Sequence, residues 1–275
     1  MNSLEYVIDK INKSEIQTHP WEHLYIEDIV PQELYDDLKK YTLSCIDEDR
    51  IPYERRHGYL LSHIDSDCLE DKDSVKEYHN IWWNDEVIEL LKSKFTMQNS
   101  WCKSDGSQPV TDFCINYETT KQGAVYGIHS DGFPKLFTSV HYFANPNEDL
   151  DLGTGMAPSS WPDTVWNQED SENIIAKYLP NSIFIFSPSP HPRMSEVDMK
   201  GQSVTYENMA SFDRFNDDDY VLTATNHFFR NKSDKIKFRR VIQNHWLLEP
   251  MPRFWCGPSD VAYGPPNQFN HEKRN

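Results

Sequence analysis

The sequence predicts a mainly β protein with flanking helices: a jelly-roll core buttressed by N-terminal helices. Three observations carry this. From about residue 110 the apolar pattern shortens into runs rich in Val, Ile, Thr and aromatics, separated by Gly, Pro, Asn and Asp. No helical period falls between those runs, and many short strands without crossover helices indicate a sandwich, jelly roll or barrel. Before residue 110 the apolar spacing is mostly helical.

Taken in order, Leu4, Val7, Ile8 and Ile11 predict a first helix over residues 4–16. Residues 23–30 alternate as a strand does, and Pro31 stands where a helix begins. That helix, 32–45, carries Leu34, Leu38 and Leu43 on one stripe. Asn84, a good N-cap, opens another through Val87, Leu90, Leu91 and Phe95. Strands are expected over 111–117, 124–130, 136–143, 182–186, 220–229 and 238–248. Residues 145–180 and 187–219 read as two long loops, and loops of that length in a compact domain are usually functional. The chain reads as one domain, 1–275: a helix-rich support over 1–109, the core over 110–250 and a tail over 251–275.

Charge and composition exclude several classes. With 27 Lys+Arg against 44 Asp+Glu the formal charge is −17. Phosphate neutralisation supplies most nucleic-acid affinity, so neither nucleic acid nor an anionic membrane is an expected partner. Aromatics make up 13% of the chain, which separates it from disordered sequences. No apolar run approaches the roughly 18 to 20 residues of a membrane span. Met1-Asn2-Ser3-Leu4-Glu5 shows no export signal. Cys45, Cys68, Cys102, Cys114 and Cys256 form no CxxC pair and read as reduced thiols. The expectation is a cytoplasmic protein acting on a small molecule.

The chemistry concentrates in Tyr126-Gly127-Ile128-His129-Ser130-Asp131-Gly132. On a strand, residues i and i+2 share a face, so His129 and Asp131 would enter the core together. Two histidines and a carboxylate on one face of a metal make the facial triad of non-haem iron(II) oxygenases, which leaves coordination positions open. A second His-x-Asp exists at His63-Ile64-Asp65, so context must choose. After His129 come Leu152-Gly153-Thr154-Gly155, then Pro180-Asn181-Ser182-Ile183-Phe184-Ile185-Phe186. Thr225-Asn226-His227-Phe228-Phe229 and Phe238-Arg239-Arg240-Val241-Ile242-Gln243-Asn244-His245-Trp246 close the series.

In the order and spacing of these motifs the chain resembles the 2-oxoglutarate/iron(II)-dependent oxygenases, in the branch of prolyl and phytanoyl-type hydroxylases. The match covers roughly residues 112–248. The resemblance implies a double-stranded β-helix, jelly-roll or cupin-like, with His129, Asp131 and His227 as the iron ligands. It implies Arg239 as the fork for the distal carboxylate of 2-oxoglutarate, with Arg240 the alternative because a register slip of one flips the face. Tyr117 matches a family tyrosine that reaches the same carboxylate; it also reads as an ordinary core aromatic. His191, five residues after Phe186, is the alternative third ligand, although flanking prolines prevent ladder pairing there. The implied cofactors are iron(II), 2-oxoglutarate and dioxygen, and the implied reaction hydroxylates a C–H bond with release of succinate and carbon dioxide.

His141 and His245 stay open between interior residues and supports of the site. No zinc-protease helix, nucleophile elbow, phosphate loop or dinucleotide fingerprint is present. Two rival readings remain: a non-catalytic jelly-roll binding module, and a cupin-like metalloenzyme that does not use 2-oxoglutarate. The oxygenase needs both metal and 2-oxoglutarate, the metalloenzyme only metal, the module neither.

Overall fold

Asn2 opens the first helix by a capping box. Its side chain accepts from the Glu5 amide at 2.9 Å and the Glu5 carboxylate accepts from the Asn2 amide at 3.0 Å. This computed structural model describes residues 1–44, 56–63, 72–95, 110–123, 125–130, 135–146, 148, 150–157, 173–187, 226–230 and 238–247. For residues 42–44, 56–63, 125–130, 226 and 230 it describes the backbone. Asp65, Asp131, His191 and the 251–275 tail lie outside the described residues.

Four helices, α1 (Ser3–Lys13), α2 (Gln32–Ser44), α3 (Asp73–Trp82) and α4 (Asp85–Lys94), alternate with two strands, β1 (His23–Ile26) and β2 (Arg56–His63). Asn84 caps α4 by accepting from the Glu86 amide at 2.9 Å. The strands that follow are β3 (Asp112–Lys121), β4 (Val125–Ser130), β5 (Lys135–Tyr142), β6 (Gly155–Met156), β7 (Ile174–Ile175), β8 (Ser182–Phe186), β9 (Asn226–Arg230) and β10 (Phe238–Leu247). They form two antiparallel sheets, of order β1-β8-β5-β10-β3-β2 and β4-β9-β6-β7. The protein is mainly β with helices against one sheet. No helix among the described residues is long and apolar enough to cross a membrane.

The larger sheet has two unlike faces, and the period of a strand sorts them. On β10, Phe238, Ile242 and Trp246 join Phe113, Ile115 and Tyr117 of β3 and the apolar stripes of the helices in one core. Trp246 anchors it: the indole N–H donates to the Trp82 carbonyl at 2.8 Å and the two rings meet edge-on at 5.7 Å. A buried side chain of this kind is worth about 3 kcal/mol over an exposed one. The alternate residues, among them Val140, Tyr142, Phe184, Phe186 and Val241, form a second core with Leu152, Met156, Ala176 and Tyr178. That second core lies between the sheets, and the candidate site is built on its walls.

The structure departs from the sequence expectations in three places. Besides the expected β1, the helical support contributes a second strand, β2, and the two extend the larger sheet at its two edges. The stretch 145–180 is not one loop, because β6 and β7 within it complete the smaller sheet. At two residues each they are too short to show a period. The helix α3 was not expected: its N-cap, Lys72, makes no side-chain cap, so the usual start signal is missing. Of the two readings left open for His141, its surroundings match the interior residue. It stands on the helix side of β5, in a chain of hydrogen bonds from Asn244 through Tyr78 to His141 and Asn181.

Asn181 joins that chain to the N-terminal segment. It occupies the left-handed region (φ 55°) that asparagine tolerates, and its side-chain amide donates to the Val30 carbonyl at 2.8 Å. The Pro-Asn-Ser motif is therefore a joint between the support and the core.

Candidate active site

The two sequence-distant histidines meet in the smaller sheet. Strands β4 and β9 run antiparallel with residue 129 directly opposite residue 227, and 130 opposite 226. Opposed residues of an antiparallel pair share a face, with Cβ atoms about 4.5–5.5 Å apart. Positions 129 and 227 therefore occupy one face of one sheet, although 97 residues separate them in sequence. A register shift between Tyr126 and His129 bends β4 just before this rung.

That face looks toward the larger sheet. His227 is 7% exposed, and its ring lies 4.6 Å from that of Phe186, an inter-sheet residue of β8. Two residues on, the ring of Phe229 underlies the guanidinium of Arg239 at 4.0 Å. Between them Phe228 turns outward over Gly155, whose missing side chain leaves room for the ring: a Cβ there would fall 2.3 Å from it.

Arg239 is 2% exposed and points into the space between the sheets. Register sets this, since Arg239 faces Thr120 on β3 and Val241, two residues on, belongs to the inter-sheet core. Its Nε donates to the Leu152 carbonyl at 2.8 Å and a terminal nitrogen to Thr154 Oγ1 at 3.4 Å. The Tyr142 ring lies 5.5 Å from the cation, and the Tyr142 hydroxyl accepts from the Thr154 amide at 2.9 Å. The Leu-Gly-Thr-Gly motif thus shapes a cradle for the guanidinium. Gly153 makes it possible, because a Cβ at that position would sit 1.7 Å from the Ala176 carbonyl oxygen. Burial pulls the guanidinium below its ordinary pKa, and neighbouring Tyr142 and Glu118 oppose that shift. Among the described residues Arg239 makes no ion pair. An arginine carries five N–H donors, so donors remain for an anion.

The other expected residues fall elsewhere. Arg240 turns to the opposite face of β10, half-buried beside the Phe238 ring at 5.5 Å. Tyr117 is not brought to Arg239: it stands opposite Ile242, inside the helix-side core. His245 does face the inter-sheet space, with Nδ1 3.4 Å from Thr138 Oγ1. Sequence reasoning missed Leu152, Thr154, Tyr142 and Phe229 as the surroundings of Arg239. The motif that holds Thr154 was legible, but its contact with β10 was not.

A scan against protein-family models finds no match, and no curated protein matches the sequence. Among solved structures the chain is similar to a prolyl-4-hydroxylase from Pseudomonas putida, at 10% identity and TM-score 0.47, covering 89% of this chain and 98% of that one. It is also similar to an oxidoreductase of the 2OG-Fe(II) oxygenase family from Burkholderia pseudomallei, at 9% identity and TM-score 0.40, over 90% and 92% of the two chains. A third is HygX from Streptomyces hygroscopicus with nickel and 2-oxoglutarate bound, at 8% identity and TM-score 0.42, covering 82% of each chain.

Proposed function

We propose that this protein is a 2-oxoglutarate- and iron(II)-dependent dioxygenase, a hydroxylase of a small-molecule substrate in the cytoplasm. The observation that carries the reading is the pairing of residue 129 with residue 227 across β4 and β9. The resemblance singles out these two histidines among 11, and they fall on one rung of one sheet. From β3 onward the chain changes sheet at every step but one, β6 to β7, which supports reading the core as a double-stranded β-helix.

The residues fit the metal. Two imidazole nitrogens at right angles around one ion, each about 2.1 Å from it, lie roughly 3 Å apart. Rings on opposed Cβ atoms can converge to that separation. His129 and His227 then supply two positions and Asp131, two residues along from His129, supplies the carboxylate. Three protein ligands on one face leave the other side open. When bound, the iron supplies the oxidising chemistry that couples decarboxylation of 2-oxoglutarate to hydroxylation of the substrate.

Arg239 holds the far carboxylate of 2-oxoglutarate. A buried cation is costly unless it is paired, and this one has donors to spare and no ion pair among the described residues. Its platform, Phe229, is two residues from His227, about 7 Å along the strand. A five-carbon diacid spans on the order of 5 Å between its carboxyl carbons, so the keto-acid end can reach the metal from Arg239. The aromatic walls, Phe184, Phe186 and Phe229, keep water from this pair and strengthen it.

The full-length chain with iron(II), ascorbate, 2-oxoglutarate and air should release succinate slowly even without substrate. His227→Ala should release none. Succinate formation undiminished in the variant would contradict the proposal.

A further inference from the structure

Trp21, in the segment before β1, ties the N-terminal support to the strand that carries His227, and the ties form a closed circuit. Its indole N–H donates to the Ala157 carbonyl at 2.8 Å, across 136 residues of sequence. The indole is half-buried and packs on the inter-sheet core. Ala157 directly follows Met156 of β6, and Met156 stands opposite His227 on β9. Trp21 is held from its other side as well. Its carbonyl oxygen lies 2.8 Å from Nδ1 of His23, a buried ring. His23 stands opposite Phe186 on β8, and Phe186 is the ring packed 4.6 Å from His227. Each step is a rung, a hydrogen bond or a ring contact. The circuit leaves His227 through the smaller sheet and returns to it through the larger one.

We infer that Trp21 is a positioning residue: it holds β6 and β9 against the larger sheet so that the His227 ring meets the metal. The word metal rests on the oxygenase reading; the placement of the ring does not. A metal takes its ligand atoms within about 0.2 Å of their ordinary distance. Strand β6, at two residues, pairs with β9 on only two rungs, too few to fix His227 that closely. On the other side of β9 the ladder to β4 is interrupted by the register shift. Trp21 supplies the missing constraint from outside the smaller sheet. Its own segment is anchored, because the Gln17 and His23 backbones exchange hydrogen bonds of 2.9 and 2.8 Å along the edge of β1. A second staple offers a control. Tyr25, on β1, donates its hydroxyl to the Lys177 carbonyl at 3.1 Å, three residues past Ile174, which pairs with Met156.

Two conservative variants of the full-length chain separate positioning from stability. Trp21→Phe and Tyr25→Phe each remove one donor to the smaller sheet and keep an aromatic ring. Zinc affinity, read by competition with a chelating dye, should weaken at least about fivefold in Trp21→Phe and stay within about twofold in Tyr25→Phe. Equal weakening in both would overturn the inference, since a looser fold would then account for it. An unchanged affinity in Trp21→Phe would overturn it too. Linkage adds a measurement that needs no variant: zinc should slow hydrogen exchange at the Trp21 indole in the wild type, and unchanged exchange would contradict the inference. The metal-free chain, carbon-13-labelled at the histidine rings, reads the placement directly. The His227 signal, identified by its loss in His227→Ala, should shift in Trp21→Phe and hold in Tyr25→Phe; a signal that Trp21→Phe leaves unmoved would overturn the inference. A wild type that takes up no zinc counts against the oxygenase reading alone, because the ring signal still reports the placement.

Discussion

Acidification from pH 7.5 to pH 5 should cost the fold about 2 kcal/mol through His141 alone. The ring is fully buried, stacked on Tyr78 at 5.7 Å and 10°, with Phe143 and Tyr35 on its other sides. Nδ1 lies 3.2 Å from the Tyr78 hydroxyl and Nε2 lies 3.3 Å from Asn181 Oδ1. The Tyr78 oxygen accepts from Asn244 Nδ2 at 3.0 Å, so a neutral His141 with its proton on Nε2 satisfies the chain in order. Burial drives the His141 pKa down from 6.5 to about 3, against the smaller opposing pull of Asn181. The native value lies below the unfolded one, so the unfolded chain takes the proton first. Stability is therefore lost progressively as pH falls below about 6.5. At pH 5 the unfolded ring is almost fully protonated and the native ring neutral, which gives RT ln(1 + 10^1.5), about 2 kcal/mol. Any native value at or below 4 yields the same figure. Urea unfolding at both pH values, on the wild type and on His141→Gln, isolates the contribution. The variant should be less stable at pH 7.5 by about 1–3 kcal/mol, yet lose about 2 kcal/mol less on acidification. Equal losses in the two proteins, within about 0.5 kcal/mol, would refute the argument.

Three further outcomes follow from the site. Arg239→Gln should weaken 2-oxoglutarate binding by roughly two to four decades, the about 3–5 kcal/mol of a buried charge left unpaired, with metal affinity little changed; Arg240→Gln, on the other face of β10, should leave it within about twofold by calorimetry. Gly153→Ala should destabilise the protein by about 3 kcal/mol or more in urea melts, because its Cβ would overlap the Ala176 carbonyl and part β6 from β7; a loss below about 1 kcal/mol would place the backbone elsewhere. His227→Ala should abolish tight metal binding by equilibrium dialysis while His191→Ala retains it, and the reverse would move the third ligand into the Pro-rich stretch.

The parts of this fold that were legible in the sequence are those where one physical signal dominates. Ser182–Phe186 reads as a strand because five residues with two Ile and two Phe admit little else. The helix after Asn84 reads from its cap. What was not legible depends on partners. The two-residue strand β6 exists only because β9 pairs with it, and β7 only because β6 does. Arg239 and Arg240 are chemically alike in the sequence, and only the register against Thr120 and Thr119 separates a buried cation from a half-buried one. The two readings of Tyr117 stayed open for a related reason: a distance of 12 residues to His129 crosses the turn at Gly123, so it does not set which face the ring takes.

The central claim is that His129, Asp131 and His227 hold one iron beside a 2-oxoglutarate clamped by Arg239. Anaerobic addition of iron(II) and 2-oxoglutarate to the full-length chain tests it most directly, read as the weak visible charge-transfer band of a chelated keto acid. The wild type should show the band at one iron per chain, and His129→Ala, Asp131→Ala and His227→Ala should each lose it while keeping the native melting transition. A band that persists in these variants, or never forms in the wild type, would contradict the account.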